Sequence, residues 1–155
     1  MFLGGLIMNQ TAVVTRLLNA TLSSIKTVVP VESDIKKPEL LKQDFRINYG
    51  VLIGITGDMH GKLVFGGDMA TFASLSEGMY GMPLEGDMLK SFSGELGNMI
   101  AGGISTNLEQ QDTKILITTP TILQGDTALS GYKRALSLPI QFQQIGHMHA
   151  YLLLD

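Results

Sequence analysis

With 155 residues, 45% of them apolar and 16% charged, the chain has the size and composition of one core-forming domain. A net charge of −3 removes the main driving force for sequence-independent nucleic-acid binding, and the absence of Cys excludes disulfides, Cys-ligated zinc, iron–sulfur clusters and thiol catalysis. No apolar run approaches the roughly 20 residues of a membrane-spanning helix, so the expectation is a soluble, cytoplasmic domain with no membrane partner.

Residues 1–8 (MFLGGLIM) are apolar but short, without a basic start or a clear signal-peptidase site. They read as an N-terminal extension, with Met8 the expected start and 9–155 a single domain. From Asn9 to about Val28, Val13, Leu17, Leu18, Leu22, Ile25 and Val29 fall at helical spacing, and Pro30 ends the helix. Residues 31–44 predict a short edge strand and a solvated connector, the mixed charge run Asp34 to Gln43. Arg46 to Thr56 and Gly61 to Gly66 predict a hairpin turning at Gly57-Asp58. Asp68 is placed to cap a helix ending near Gly81.

After a break at GMPLEG, a long helix is expected from about Asp87 to Glu109. Strands are then expected over Lys114–Thr118, Thr127–Leu138 and Pro139–Leu154, with Gly131 and Gly146 as bulges. The order predicts an α+β fold, a long antiparallel sheet packed with helices on one face. Arg16-Leu-Leu-Asn19 with Ile25 echoes Glu95-Leu-Gly-Asn98 with Ile104 at a constant offset of 79. A pseudo-duplicated single domain and chance both account for the echo.

The 18 Gly and 9 Met concentrate between Gly50 and Gly103. Adaptable Met beside Gly suits a surface that receives another protein, or alternatively a plastic core. The helix DMLKSFSGELGNMIAGGISTNLEQ is the most informative segment. At about 100° per residue, Met88, Leu89, Phe92, Leu96, Met99, Ile100 and Ile104 share a broad face and are expected in the core. Opposite them Ser91, Glu95, Asn98, Gly102 and Ser105 form a stripe of short polar groups and glycine.

Each helical glycine costs roughly 1 kcal/mol relative to Ala, so four of them imply close contacts. Gly97 and Gly103 lean toward the buried side; Gly94 and Gly102 flank the stripe, where they would admit a partner's backbone. A carboxylate and a carboxamide at i and i+3 stand about 5–6 Å apart at Cβ. The carboxamide can hold and orient a water, and the carboxylate can pair with a cation or act as a general base. With no nucleophile beside a His, the pair suits hydrolysis of a substrate that is already activated. Alone, E-x-x-N is a weak signal, since most such pairs are solvated helix surface.

Ser91-x-x-x-Glu95-x-x-Asn98, followed by Pro120, resembles the signature of the CheC/CheX family of chemotaxis phosphatases. The segments GVLIGITGDMHGKLVFGGDMATFASLSEGMYG and Gly94-Glu-Leu-Gly-Asn-Met-Ile-Ala-Gly102-Gly103 extend the likeness, which runs from about Asn9 to the C-terminus. The CheX-like branch fits better, because Arg16 stands beside Asn19 where a second motif Glu would be. The resemblance implies hydrolysis of the phosphoaspartate of a CheY-type response regulator. Asn98 would orient the attacking water and Glu95 would pair with the regulator's phosphate-site Lys, while Ser91, Gly94 and Gly102 would serve docking. It further implies Mg²⁺ held by the regulator, no cofactor or metal on this chain, and a homodimer to which the long terminal strands offer an edge. The alternatives are a module that binds the phosphorylated regulator without consuming it, as flagellar-switch relatives do, and a dimeric scaffold.

The remaining motifs are bland. His147 and His149 alternate in a strand, and His60 stands apart, so a four-ligand zinc site is not expected. Gly61-Lys-Leu-Val-Phe-Gly-Gly67 lacks the spacing and G-K-[ST] ending of a phosphate loop.

Overall fold

Val51, Ile53 and Ile55 alternate with the less buried Leu52, Gly54 and Thr56, the period-2 pattern of a strand with one face on a core. The structure, a computed structural model, describes residues 2–155, with side chains from Ala12 onward. Helix α1 spans Phe2–Val28, so the expected extension over 1–8 falls on residues whose side chains lie outside the described ones. Strands β1 (Ser33–Ile35), β2 (Glu39–Leu41), β3 (Phe45–Gly57) and β4 (Gly61–Gly67) follow. Helices α2 (Met69–Tyr80) and α3 (Gly86–Glu109) precede β5 (Ile115–Ile117), β6 (Thr121–Leu129), β7 (Arg134–Phe142) and β8 (Gly146–Leu154).

The eight strands form one antiparallel sheet, ordered β1-β7-β8-β4-β3-β5, with β2 also on β7 and β6 also on β3. This is the expected α+β architecture. The helices pack on one face: Leu17 and Ile25 of α1, Phe72 and Leu75 of α2, and Leu96, Ile100 and Ile104 of α3 join Tyr49, Val51, Ile53 and Leu63 in one buried cluster. The other face carries a smaller cluster of Ile47, Val64, Leu129, Ala135 and Leu153, built from the sheet and its connections. There Phe45 stacks on Tyr151 with ring centres 4.3 Å apart.

The strand order has the symmetry that a pseudo-duplicated domain requires, although the hairpins do not share the offset of 79 seen in the helices. Helix α1, two short strands and the hairpin β3–β4 are matched by α3, β5 and β6, and the hairpin β7–β8. The strands β1 and β2 cross to flank β7, β5 and β6 cross to flank β3, and β4 meets β8 at the centre. The pair Ile55–Gly61 corresponds to Gln141–His147, an offset of 86 in the hairpins (141 against 55).

Several boundaries differ from expectation. The segment read as one strand from Thr127 to Leu138 is two, broken by a connection in which Gly131 has a φ of 82°. Pro139 lies inside β7 rather than opening a strand; it falls between the stretches paired with β1 and β2, where its missing N–H breaks no ladder. Its carbonyl accepts from the Lys36 N–H at 2.9 Å. Gly146 begins β8, and the sheet irregularity lies instead between Ile47 and Tyr49 of β3. Asp68 does occupy the N-cap of α2, but its side chain makes no capping bond; its carbonyl takes the Thr71 N–H at 3.0 Å. Gly81 closes that helix in the left-handed conformation, φ 84°.

The long terminal strands do not form an edge. β7 and β8 are interior, because β1 and β2 cover β7 while β4 covers β8. The edges are short β1, β2 and β5, and the nine-residue β6, which pairs only with β3. No helix among the described residues is long and apolar enough to cross a membrane.

On the outer face His147 bonds Gln141 Oε1 through Nδ1 at 2.8 Å, and half-buried His149 stacks on Tyr151. Among the described residues no cluster of three potential metal ligands forms. Burial, reinforced by nearby His147 and opposed by Glu39, holds the His149 pKa below its ordinary value of 6.5. The unfolded chain therefore takes up this proton more readily than the native one, and stability is lost as pH falls from 6.5 toward the depressed native pKa. Thermal unfolding between pH 7 and 5 is expected to show a declining midpoint, and His149→Gln is expected to flatten part of that decline.

Candidate functional site

Helix α3 lies on the sheet through its smallest residues. A methyl group built on Gly97 would stand 2.8 Å from Val51 Cγ1, and one on Gly103 would collide with Ser24 Oγ of α1. The two glycines expected at the buried side are thus the points of closest approach. Ser24 is itself committed, donating to the Ile100 carbonyl at 2.7 Å and so tying α1 to α3. Buried Ser93 donates to the Leu89 carbonyl at 2.7 Å and meets Tyr49 Oη at 2.9 Å. Because the Ser93 hydroxyl has one proton, already given to Leu89, Tyr49 is the donor. Tyr49 also sets its ring edge-on to Phe72, 5.0 Å away, joining β3 to both α2 and α3.

These anchors rotate the helix relative to the expected wheel. The buried arc contains Leu89, Phe92, Ser93, Gly94, Leu96, Gly97, Ile100, Ala101, Ile104 and Leu108. Met88 and Met99, expected in the core, are exposed, at 63% and 39%. The reason is that Ala, Ser and Gly occupy the arc nearest the sheet and α1, which shifts its centre away from the two methionines. On the wheel Met88 and Met99 now adjoin Glu95, so the exposed face is apolar on one side and polar on the other.

Ser91, Glu95 and Asn98 are all exposed. Among the described residues, neither the Glu95 carboxylate nor the Asn98 carboxamide has a hydrogen-bond or ion-pair partner. An i, i+3 pair held side by side on a rigid helix, with its hydrogen-bonding capacity unspent, is free to engage groups presented by another molecule. A shallow groove lies against the stripe, formed by Lys90, Ser91, Gly94, Glu95, Asn98 and Pro120 together with Ile122. Gly94 is the buried floor of that groove: a methyl there would be 3.6 Å from both Pro120 and Ile122. Gly102 has open space, with nothing within 4 Å of such a methyl.

The corresponding positions on α1 are arranged differently. Arg16 is half-buried and donates to Thr113 Oγ1 at 3.2 Å, tethered to the chain just past α3, while Asn19 is exposed. Sequence reasoning missed Tyr49, Ser24 and Ser93 as the residues that orient the site. Only the place of Ser93 within the apolar arc of the helix signalled it. It also missed the exposed cluster of Tyr80 and Met82 beside the first turns of α3.

Residues 49–143 match the family model described as chemotaxis phosphatase CheX. The CheY-P phosphatase CheX of Thermotoga maritima is 29% identical over 134 residues, covering 83% of this chain and 86% of that protein. Among solved structures, a chemotaxis protein CheX from Desulfovibrio desulfuricans superposes with a TM-score of 0.77 at 18% identity, over 91% of this chain and 97% of that one. The CheX–CheY–BeF3–Mg²⁺ complex from Borrelia burgdorferi contains a chain that superposes with a TM-score of 0.74 at 20% identity, over 92% and 97% respectively.

The glycine pair 102 and 103 offers a direct test of the packing. Gly102→Ala is expected to raise stability by up to about 1 kcal/mol, since the new methyl meets nothing and helix propensity improves. Gly103→Ala is expected to cost about 1–3 kcal/mol, because Ser24 must yield its place and its bond to Ile100. Denaturant unfolding of the two variants beside the natural protein measures both.

Proposed function

The chain belongs to the CheX family of chemotaxis phosphatases, and from that premise we propose that it hydrolyses the phosphoaspartate of a CheY-type response regulator through Asn98 and Glu95. The observation that carries the reading is the outward, unpartnered Glu95–Asn98 pair on a helix anchored from behind. The family match and the Thermotoga relative's activity support the reaction class. The Borrelia chain's complex with CheY supports a receiver domain as the partner.

In this reading α3 enters the receiver's active site. The Asn98 carbonyl accepts a hydrogen bond from one water and holds its lone pair in line with the phosphorus. The water oxygen forms the new P–O bond as the bond to the aspartyl oxygen breaks; the aspartate leaves as carboxylate and the water's protons pass to phosphate and solvent. An acyl phosphate has a good leaving group, so positioning rather than a strong base supplies the acceleration. Glu95 pairs with the receiver's phosphate-site Lys, a charge-assisted bond that sets the register of α3. The divalent cation is Mg²⁺ held by the receiver's carboxylates, and Ser91, Gly94 and Gly102 border the docked surface.

The homodimer implied by the family resemblance is assigned to the sheet edge at β6, the long strand with one unpaired side.

The lifetime of phosphate on a receiver domain, with and without this protein, tests the reaction. The natural protein is expected to shorten it, and Asn98→Ala to remove about 10²-fold of that acceleration with little loss of binding. Glu95→Gln is expected to weaken binding and to reduce its salt dependence. Binding with an unchanged phosphate lifetime would overturn the phosphatase reading in favour of a binding module.

A further inference from the structure

Beside the catalytic stripe the surface changes character. Tyr80 at the end of α2, Met82 in the connection and Met88 in the first turn of α3 are 61%, 58% and 63% exposed. Together with Leu84 and Phe92 they line a groove that reaches Ser91 and Glu95. Phe92 forms its buried floor, and Tyr80 stands edge-on to that ring with centroids 5.7 Å apart. Three large apolar side chains this exposed and contiguous mark an interaction surface rather than scattered surface residues.

The rim is acidic. Asp87 and Glu95 line the groove, exposed Glu85 stands at the N-cap of α3 close to Asp87 in the chain, and Lys90 approaches Asp87 only to 3.9 Å. A second copy docking here about a two-fold axis would set acidic rim against acidic rim, which is repulsive. A partner bearing an apolar side chain flanked by a cation has the complementary surface. The groove is also continuous with Glu95, so one partner in contact with the stripe covers both.

We propose that this groove is the specificity pocket for the receiver domain: it takes one apolar side chain, with a basic neighbour, from the receiver face that carries the acyl phosphate. The proposal rests on the phosphatase reading above and names which feature of the receiver is recognised. Methionine lining lets the pocket adapt to branched or thioether side chains, while Tyr80, braced by Phe92, gives it one firm wall. Affinity is then set by this groove and chemistry by Asn98.

The experiment uses the full chain with a CheY-type receiver phosphorylated by acetyl phosphate. It compares the natural protein, the double variant Met82→Ser/Met88→Ser and the double variant Glu85→Lys/Asp87→Lys. All replaced side chains are exposed, but Glu85 and Asp87 stand at the N-terminus of α3, where a cation is unfavourable, so thermal unfolding is checked first and the variants are compared at a temperature where each stays folded. Both variants are expected to raise the half-saturating concentration about tenfold and to leave the saturated rate within about twofold, with the lysine variant also losing salt dependence. An unchanged half-saturating concentration overturns the pocket while leaving the phosphatase reading intact. A change in sedimentation mass in its place assigns the groove to a second copy and likewise overturns it. If the natural protein binds the receiver but leaves phosphate lifetime unchanged, the phosphatase reading fails alone, and direct titration of the labelled receiver against the same variants judges the pocket. Absence of binding by the natural protein overturns both.

Discussion

The close approach of α3 to the sheet and to α1 is the constraint on which the site depends. Gly97 against Val51 and Gly103 against Ser24 let the helix backbone approach those side chains where any Cβ would intrude. The two contacts are about 120° apart around the helix, one on the sheet and one on α1, so together they fix rotation as well as distance. The polar contacts from Ser24 to Ile100 and from Tyr49 through Ser93 to Leu89 add direction to that contact. Glu95 and Asn98 face outward as a result, with no local partner to hold them. The helix accepts poor intrinsic propensity at four interior glycines in exchange for this placement, and burial of its Leu, Ile and Phe residues offsets the difference.

The duplicated architecture explains why one helix serves this role and the other does not. α1 and α3 are related elements lying side by side on the same face. On α3 the motif carboxylate is exposed; on α1 the equivalent position holds a cation turned toward Thr113. A guanidinium at that place would repel the cation that the proposed function sets against Glu95. The repeat therefore supplies a rigid base for a single working face, and α1 acts as the surface against which α3 is set.

The sheet contributes in a different way on each side. Its helical face is a continuous core running from Leu17 to Leu154, which makes α3 part of the domain's main cooperative unit rather than an appended element. Its other face closes on itself through Phe45, Tyr132 and Tyr151, with half-buried His149 at the margin. The acid sensitivity expected from His149 thus belongs to the side of the sheet away from Ser91, Glu95 and Asn98.

The sequence by itself determined the α+β class, the hairpin over residues 46–66, the long motif helix and the pair Glu95–Asn98. Each is a local or periodic signal: β-branched alternation, 3.6-residue spacing, glycine and proline breaks. Even the echo between Arg16–Ile25 and Glu95–Ile104 was legible, though chance explained it equally until the strand order was known. Tertiary structure decided the rest, because it depends on partners distant in the chain. Hydropathy assigned Met88 and Met99 to the core, yet Ser24, 76 positions from Ile100, and Tyr49, 44 from Ser93, set the helix so that both are exposed. Long C-terminal strands read as an edge, but an edge is defined by the absence of neighbours, and β1, β2 and β4 arrive from the other half of the chain. Periodicity specifies which residues share a face; only packing specifies which way that face looks.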